Sequence, residues 1–151
     1  MRKLNKIVLV ATLGMAAASA VQAQGVANAT FQVTANVTAA CTVAATNLAF
    51  GDYSAAVANL DTTSTITIVC SSGKGWSLDI GANARQMLRA GGGGALNYFM
   101  YNDIGRATLF PVTTGSGTGL DQNITVYGRI PGGQFVPTGA YAGSVTVAVT
   151  Y

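Results

Sequence analysis

The N-terminal part of the chain alternates apolar and polar side chains over the segment NATFQVTANV, residues 28–37. Alternation with a period of two places every second side chain on one face, which predicts a β-strand with one buried side. The apolar side of this predicted strand consists of Ala29, Phe31, Val33, Ala35 and Val37. The same parity continues through Ala39, Cys41 and Val43, so the pattern does not mark where this strand ends and the next begins.

Further runs with strand character follow, separated by turns rich in Gly, Asn and Asp. They cover residues 47–54, 64–70, 76–80, 95–101, 107–112, 123–130 and 140–151. Two of them have a clear apolar side, with Ile66, Ile68 and Cys70 in one and Trp76, Leu78 and Ile80 in the other. After residue 23 no stretch has the helical period. Seven or eight strands predict an all-β sandwich or barrel, and this number is typical of an immunoglobulin-like sandwich.

The last run, AYAGSVTVAVTY, ends on the final residue of the sequence. Its apolar side is formed by Val145, Val147, Val149 and Tyr151, and the run from Ser144 onward has no charge and no proline. Proteins usually protect an exposed strand edge with charge or proline, because an unprotected edge pairs with other strands. The first and last strands therefore invite pairing. Pairing within one chain would close the domain, and pairing between chains would make a polymer.

The first 23 residues have the features of a secretory signal peptide. Three basic residues precede an apolar stretch over residues 7–18, which is too short to span a bilayer comfortably. Small residues favour cleavage after Ala23. An N-terminal membrane anchor is the alternative, but no longer apolar run follows. We therefore predict export of a chain that begins at Gln24.

The charges of the exported part argue against binding to nucleic acid. The formal charge of the whole sequence is +3, but three of its eight basic residues lie in the signal peptide, leaving five Lys and Arg against five acidic residues. No basic stripe with interleaved aromatic residues is present. The sequence also contains no histidine and no glutamate, so the usual general base is missing. The acidic residues, Asp52, Asp61, Asp79, Asp103 and Asp121, are scattered. We therefore expect neither an enzyme nor a cofactor.

The sequence contains two cysteines, Cys41 and Cys70. In an exported chain a single disulfide is the default expectation, and a closed loop of about 30 residues would add roughly 3.6 kcal/mol in the chain-entropy treatment. A metal or redox pair is the alternative. The absence of histidine and of a C-x-x-C spacing makes that alternative weaker.

Aromatic residues concentrate at Trp76 and in the segment LNYFMY, residues 96–101. They are consistent with a platform for a ligand or with the core of a sandwich. Alternating aromatic residues in such folds are usually packing residues, so core packing is favoured.

Several segments resemble the spore coat protein U domain family. They are CTV at 41–43, ITIVCSSG at 66–73, LNYFMYNDIGRATLF at 96–110, ITVYGRIPGGQ at 124–134 and VPTGAYAGSVTVAVTY at 136–151. The combination of VYGRIP with the terminal valine-rich block is the specific part of this resemblance. Gly143 departs from the pattern, since members often carry Asp there.

The resemblance implies a fold and a function. Most bacterial members are subunits of archaic chaperone–usher pili, with an incomplete immunoglobulin-like sandwich that a donor strand from a neighbouring subunit completes. It implies a donor segment at 24–38 and a pilin domain at 39–151. The donor side chains would be Ala29, Phe31, Val33, Ala35 and Val37, and the acceptor groove would be lined by Val145, Val147, Val149 and Tyr151.

The implied partners are a periplasmic chaperone, an outer-membrane usher, and identical or related pilin subunits. The carboxylate of Tyr151 would bind in a basic cleft of the chaperone. The implied location is a pilus on the cell surface, supporting adhesion and biofilm formation. Two alternatives stay open: a minor adaptor or tip subunit, and a self-contained secreted coat or ligand-binding protein.

Overall fold

The computed structural model describes residues 25–151, and the predicted signal peptide lies outside them. The chain divides into an N-terminal unit that ends at Ala35 and a body, Asn36–Tyr151. The described residues of the first unit belong to no strand, and Phe31 and Val33 are 87% and 83% exposed. The predicted donor segment thus presents its apolar side chains to solvent.

The body is built from strands alone over the residues that the structure describes. Its nine strands are β1 (Cys41–Ala45), β2 (Asn59–Cys70), β3 (Gly75–Asp79), β4 (Ala84–Arg89), β5 (Ala95–Tyr101), β6 (Thr113–Ser116), β7 (Gln122–Pro131), β8 (Tyr141–Ala142) and β9 (Ala148–Thr150). All strand pairs are antiparallel. The all-β prediction is confirmed.

The strands form two sheets. The larger has the order β1-β2-β7-β5-β4-β8, and the smaller has the order β6-β3-β9. The long strands β2 and β7 pair from Asn59↔Pro131 to Ile68↔Gln122 and form the middle of the larger sheet. Edge strands β1 and β9 belong to different sheets, and this arrangement is consistent with an incomplete immunoglobulin-like sandwich.

The core lies between the inner faces of the two sheets. Alternation along the strands places most of its side chains inward. Its buried apolar residues are Ile66, Ile68, Cys70, Trp76, Leu78, Ile80, Leu96, Tyr98, Met100, Phe110, Val126 and Ile130. The indole N–H of Trp76 donates a hydrogen bond to the Gln122 side chain at 3.2 Å. Its ring packs on Gly115 of β6, where a Cβ would overlap the indole. Core packing of Trp76 and of half of the 96–101 segment is therefore confirmed.

Besides the segment 28–37, three predicted strands differ from the structure. Residues 47–54 form no strand, because no neighbouring strand of the body pairs with their backbone. The strand predicted at 107–112 is reduced to an isolated bridge between Leu109 and Tyr101, and β6 begins only at Thr113. The terminal run is interrupted, since β8 pairs with β4 and β9 pairs with β3. Strand β4 was not predicted.

The disulfide between Cys41 and Cys70 is confirmed. The two residues face each other in the register of β1 and β2, so the bond fastens the start of the edge strand β1 to the end of β2. It closes a loop with a sequence separation of 29 residues.

Replacing both cysteines by alanine should lower the free energy of unfolding by about 3–4 kcal/mol, since a closed loop of this length restricts the unfolded chain. Urea unfolding of the variant and of the oxidised protein would measure the difference. The reduced wild-type protein is the control and should unfold near the variant. A difference below about 1 kcal/mol would contradict a stabilising role.

Asp61 on β2 is the centre of a small ion network. Arg129 of β7 donates two hydrogen bonds to its carboxylate, at 2.7 and 2.8 Å, and Arg106 Nε lies 3.3 Å from it. The hydrogen bonds from Arg129, joined by the charge of Arg106, hold the pKa of the Asp61 carboxyl below its ordinary value of 3.8, although partial burial opposes this. The Asp61–Arg129 pair joins two residues that are opposite each other in the register of β2 and β7.

Asp61→Asn should remove part of the acid sensitivity of the fold. Because the folded-state pKa is lowered, the stabilisation is present above pH 3.8 and is lost as the pH falls through the folded-state value. At neutral pH the variant should lose about 1 kcal/mol or less, because the pair is partly exposed. Urea unfolding at neutral and strongly acidic pH would test this. A stability difference that stays constant with pH would contradict it.

No helix within residues 25–151 has the length and apolar character needed to cross a membrane.

Candidate functional site: an open groove beside the last strand

One side of the sandwich is open between the last strand and β1. The last strand follows β8, passes through residues 143–147 without pairing, and enters β9, which is an edge of the smaller sheet. Among residues 25–151, the backbone of 143–147 makes no hydrogen bond. Buried backbone groups are almost always paired, so a row of unpaired groups at the edge of a core is a place where another strand fits.

The opposite rim consists of β1 and residues 46–50. Strand β1 pairs with β2 on one side only. Val43 faces inward, opposite Ile68, yet it is 40% exposed. This exposure indicates that the outer edge of β1 is only partly covered, and Ala45 is the residue of β1 that lines the groove.

Beyond β1 the rim crosses over β7. Leu48 and Phe50 lie above Gly128, where a Cβ would come within 2.9 Å of both side chains. The carbonyl of Ala49 accepts a hydrogen bond from Thr62 Oγ1 at 2.9 Å, while the N–H groups of residues 47–50 donate none within the described chain. A glycine at position 128 is thus required for this rim to approach the floor.

The groove between the two rims has an apolar floor and a volume of about 520 Å³. The floor is formed by five buried core side chains and the half-buried Met87, which are Ile66, Ile80, Tyr98, Met100, Val126 and Met87. Its polar point is the buried Ser64, whose hydroxyl donates to the carbonyl of Thr46 at 2.6 Å. None of the described residues that line the groove carries a charge.

The last strand keeps the predicted alternation. Val145, Val147 and Val149 are half-buried and pack on the core, whereas Thr146 and Ala148 are exposed. Val145 and Val147 line the groove. Val149 lies beyond its open part, and Tyr151, at 53% exposure, is not among the lining residues.

The geometry of the groove suits the binding of an additional strand. A strand placed in the groove would find backbone partners on two rims and an uncharged apolar floor for every second side chain, which are the requirements of strand addition. Because five antiparallel pairings separate β1 from β8, the two rims run in opposite directions. An added strand would therefore be parallel to one rim and antiparallel to the other.

Comparison with known proteins shows that these rims and this floor lie within one family domain. The profile of the Spore Coat Protein U domain matches residues 27–148, which include both rims. The chain belongs to the spore coat protein U domain family. It is also similar to Protein U of Myxococcus xanthus, with 31% identity over 152 residues that cover 83% of this chain and 85% of that protein. The spore coat protein U domain is a structural domain of coats and pili rather than an enzyme family, and it indicates a protein associated with the cell surface.

Within the spore coat protein U domain, the sequence blocks that carried the resemblance meet around the groove. Residues 136–151 supply one rim, while 66–73 and 124–134 supply part of the floor through Ile66 and Val126. The sequence did not reveal the rim at 46–50, Ser64, or Met87 on β4. The alternation of Leu48 and Phe50 is a signal that could have indicated this rim, because both side chains pack against the core.

Proposed function

We propose that this protein is a structural subunit of a chaperone–usher type surface fibre, in which the groove of one subunit binds the N-terminal strand of the next. The observation that supports this most strongly is the pair of unpaired backbone rims on either side of an uncharged, apolar floor. A protein that worked alone in solution would gain nothing from leaving such an edge open, because it invites aggregation.

The occupant of the groove is the segment 24–38. It offers the apolar side chains Ala29, Phe31, Val33, Ala35 and Val37 on one face, with no charge among them. Full burial of Phe31, Val33 and Val37 would contribute about 1.5–3 kcal/mol each, with less from the alanines. Together with main-chain hydrogen bonds, this burial would make dissociation slow, so that the fibre is held by kinetic stability.

The same segment is poorly suited to filling the groove of its own chain. A return into its own groove would need a hairpin between Val37 and Cys41, over residues Thr38, Ala39 and Ala40. Tight hairpins prefer Gly, Asn or Asp in the turn, because these residues tolerate positive φ angles, and none of them is present here. Binding to a second copy is therefore favoured over self-closure.

The orientation of the donor follows from the rims. Antiparallel pairing is slightly more stable per residue than parallel pairing, and the rim of the last strand is longer than the rim at 46–50. A donor antiparallel to the last strand would begin near Tyr151 and end near Tyr141. The first strand of its own body, β1, would then start at Cys41, four residues after Val37, so that successive domains follow closely along the fibre.

The open groove also explains why the subunit needs partners before assembly. A periplasmic chaperone would cover the groove with a strand of its own, and an outer-membrane usher would exchange that strand for the donor of the next subunit. The last strand would contact the chaperone through Val145, Val147, Val149 and Tyr151. Adhesion and biofilm formation would follow from the surface location of the fibre.

Co-expression with a chaperone and usher of this type, followed by negative-stain electron microscopy of sheared cell-surface material, would test the function. The proposal predicts thin fibres that contain this chain and that require both partners. Secretion as a monomer or compact dimer in the presence of both partners would instead favour the self-contained coat protein.

A further inference from the structure

The outer face of the larger sheet carries aromatic residues that the groove does not use. Alternation in β5 sends Tyr98 and Met100 into the core and leaves Phe99 and Tyr101 half-buried on the opposite face. The rings of Phe99 and Tyr101 lie 6.5 Å apart with a tilt of 42°, and Tyr101 pairs across the sheet with Tyr127. In the segment 96–101, which the sequence alone could not assign to a ligand platform or to the core, alternate residues therefore belong to the core and to the surface.

A recess of about 600 Å³ lies beside Phe99. The residue opposite Phe99 on β4 is Ala84, whose single methyl group can cover little of that side of the ring. The recess is lined by Ala84, Arg85, Gln86, Asn97, Phe99, Pro131 and Gln134. An aromatic ring with amide side chains next to it combines an apolar contact with polar groups that can orient a small molecule.

The amide groups in the recess are held in fixed positions. Gln134 accepts a hydrogen bond from the N–H of Asn97 at 2.8 Å and donates to its carbonyl at 3.0 Å, and so extends the ladder of β5 beyond its pairing with β7. The amide nitrogen of Gln86 donates to Asn97 Oδ1 at 3.0 Å. This leaves Gln86 Oε1 as an acceptor and Asn97 Nδ2 as a donor, side by side.

The charges near the recess are already engaged. The guanidinium of Arg85 donates to the carbonyls of Ala82 and Ile80. Arg129, which pairs with Phe99 across the sheet, is bound to Asp61. An anionic ligand would need a free cation, so the recess favours a neutral ligand.

We propose that this recess binds a neutral pyranose sugar. One face of a pyranose ring consists of C–H groups, which pack on an aromatic ring such as Phe99. Its equatorial hydroxyl groups would accept from Asn97 Nδ2 and donate to Gln86 Oε1. A flat aromatic ligand would use the ring but would leave this donor–acceptor pair without partners.

Saturation-transfer NMR on the full exported chain would test the proposal, with the methyl glycosides of glucose, galactose, mannose and N-acetylglucosamine as probes. At least one should receive saturation, strongest on the C–H face of the sugar. Phe99→Ala should weaken binding at least tenfold. Ala84→Leu, at an exposed position, should fill the recess and block binding even if Phe99→Ala does not fold.

The matched control is Thr125→Leu, which adds a leucine to the same sheet face two residues before Tyr127 and should bind as the wild type does. Three results would overturn the proposal: no transfer to any of the four sugars, binding that survives Ala84→Leu, or equal loss in Thr125→Leu. The proposal would also be overturned if indole displaced the bound sugar and substitution of Gln86 and Asn97 left sugar binding unchanged. That result would show a non-specific aromatic surface.

Discussion

Deletion of residues 24–36 should abolish fibre assembly and leave a folded subunit that still binds its chaperone. The deletion removes most of the apolar side chains assigned to the donor, including Phe31 and Val33. It spares all nine strands and the disulfide, which begin at Cys41. Without a donor, each subunit could receive a strand but could not offer one. The measurements are fibre yield at the cell surface and co-purification with the chaperone.

Point variants make this prediction independent of chain length. Val33→Asp would place a carboxylate on the apolar side of the donor and should reduce fibre yield severely, since an unpaired charge in an apolar groove costs several kcal/mol. Thr34→Asp is the matched control on the polar side and should be much milder. Normal fibres from the deletion variant, or equal effects of the two substitutions, would refute the donor role of this segment.

Val147→Asp should nearly abolish donor-strand binding. Val147 is half-buried, faces the core, and lines a groove in which no described residue carries a charge. The carboxylate would have to be buried without a basic partner or take up a proton, at a cost of several kcal/mol. At about 1.4 kcal/mol per tenfold change in affinity, this corresponds to a loss of more than a hundredfold.

The neighbouring position provides the control. Thr146 is exposed on the other face of the same strand, so Thr146→Asp should assemble nearly as the wild type does. Both variants should be compared for fibre yield and for co-purification with the chaperone. If Thr146→Asp stopped assembly and Val147→Asp did not, the register of the last strand and the groove built on it would be wrong.

The alternating strands could be predicted because their hydrogen-bond partners lie in the same chain. Ile66, Ile68 and Cys70 on β2, and Leu78 on β3, are buried as their pattern predicts. In such strands the apolar side and the ladder of the sheet agree, so local pattern and global fold give the same answer.

The missed strand β4 shows how charge can conceal a pattern. Arg85 and Arg89 lie on the same side as Met87, which reads as a broken apolar face. Their guanidinium groups reach backbone carbonyls at the ends of the strand, with Arg89 bonded to Thr138 at 2.9 Å. Both side chains are half-buried, while their guanidinium groups donate hydrogen bonds to these carbonyls. Hydropathy alone therefore does not recognise a strand with this composition.

The absence of strand pairing at residues 46–50 and 143–147 could not be predicted, and the reason differs from the one that applies to β4. Both have strand-like sequences, yet neither has a full ladder, because a strand is defined by pairing with a neighbour. In the proposed fibre that neighbour belongs to another subunit. The disagreement between pattern and structure is therefore concentrated at the two rims of the groove.

Photo-crosslinking from the donor segment tests the central claim most directly. A benzophenone amino acid would replace Val33 in the full chain, which would be exported with its chaperone and usher and then irradiated. The account predicts a ladder of covalent multimers on denaturing gels, with cross-linked peptides that map to residues 45–50 and 141–149 of a second copy. Cross-links confined to one copy of the chain, or to surfaces outside the groove, would contradict it.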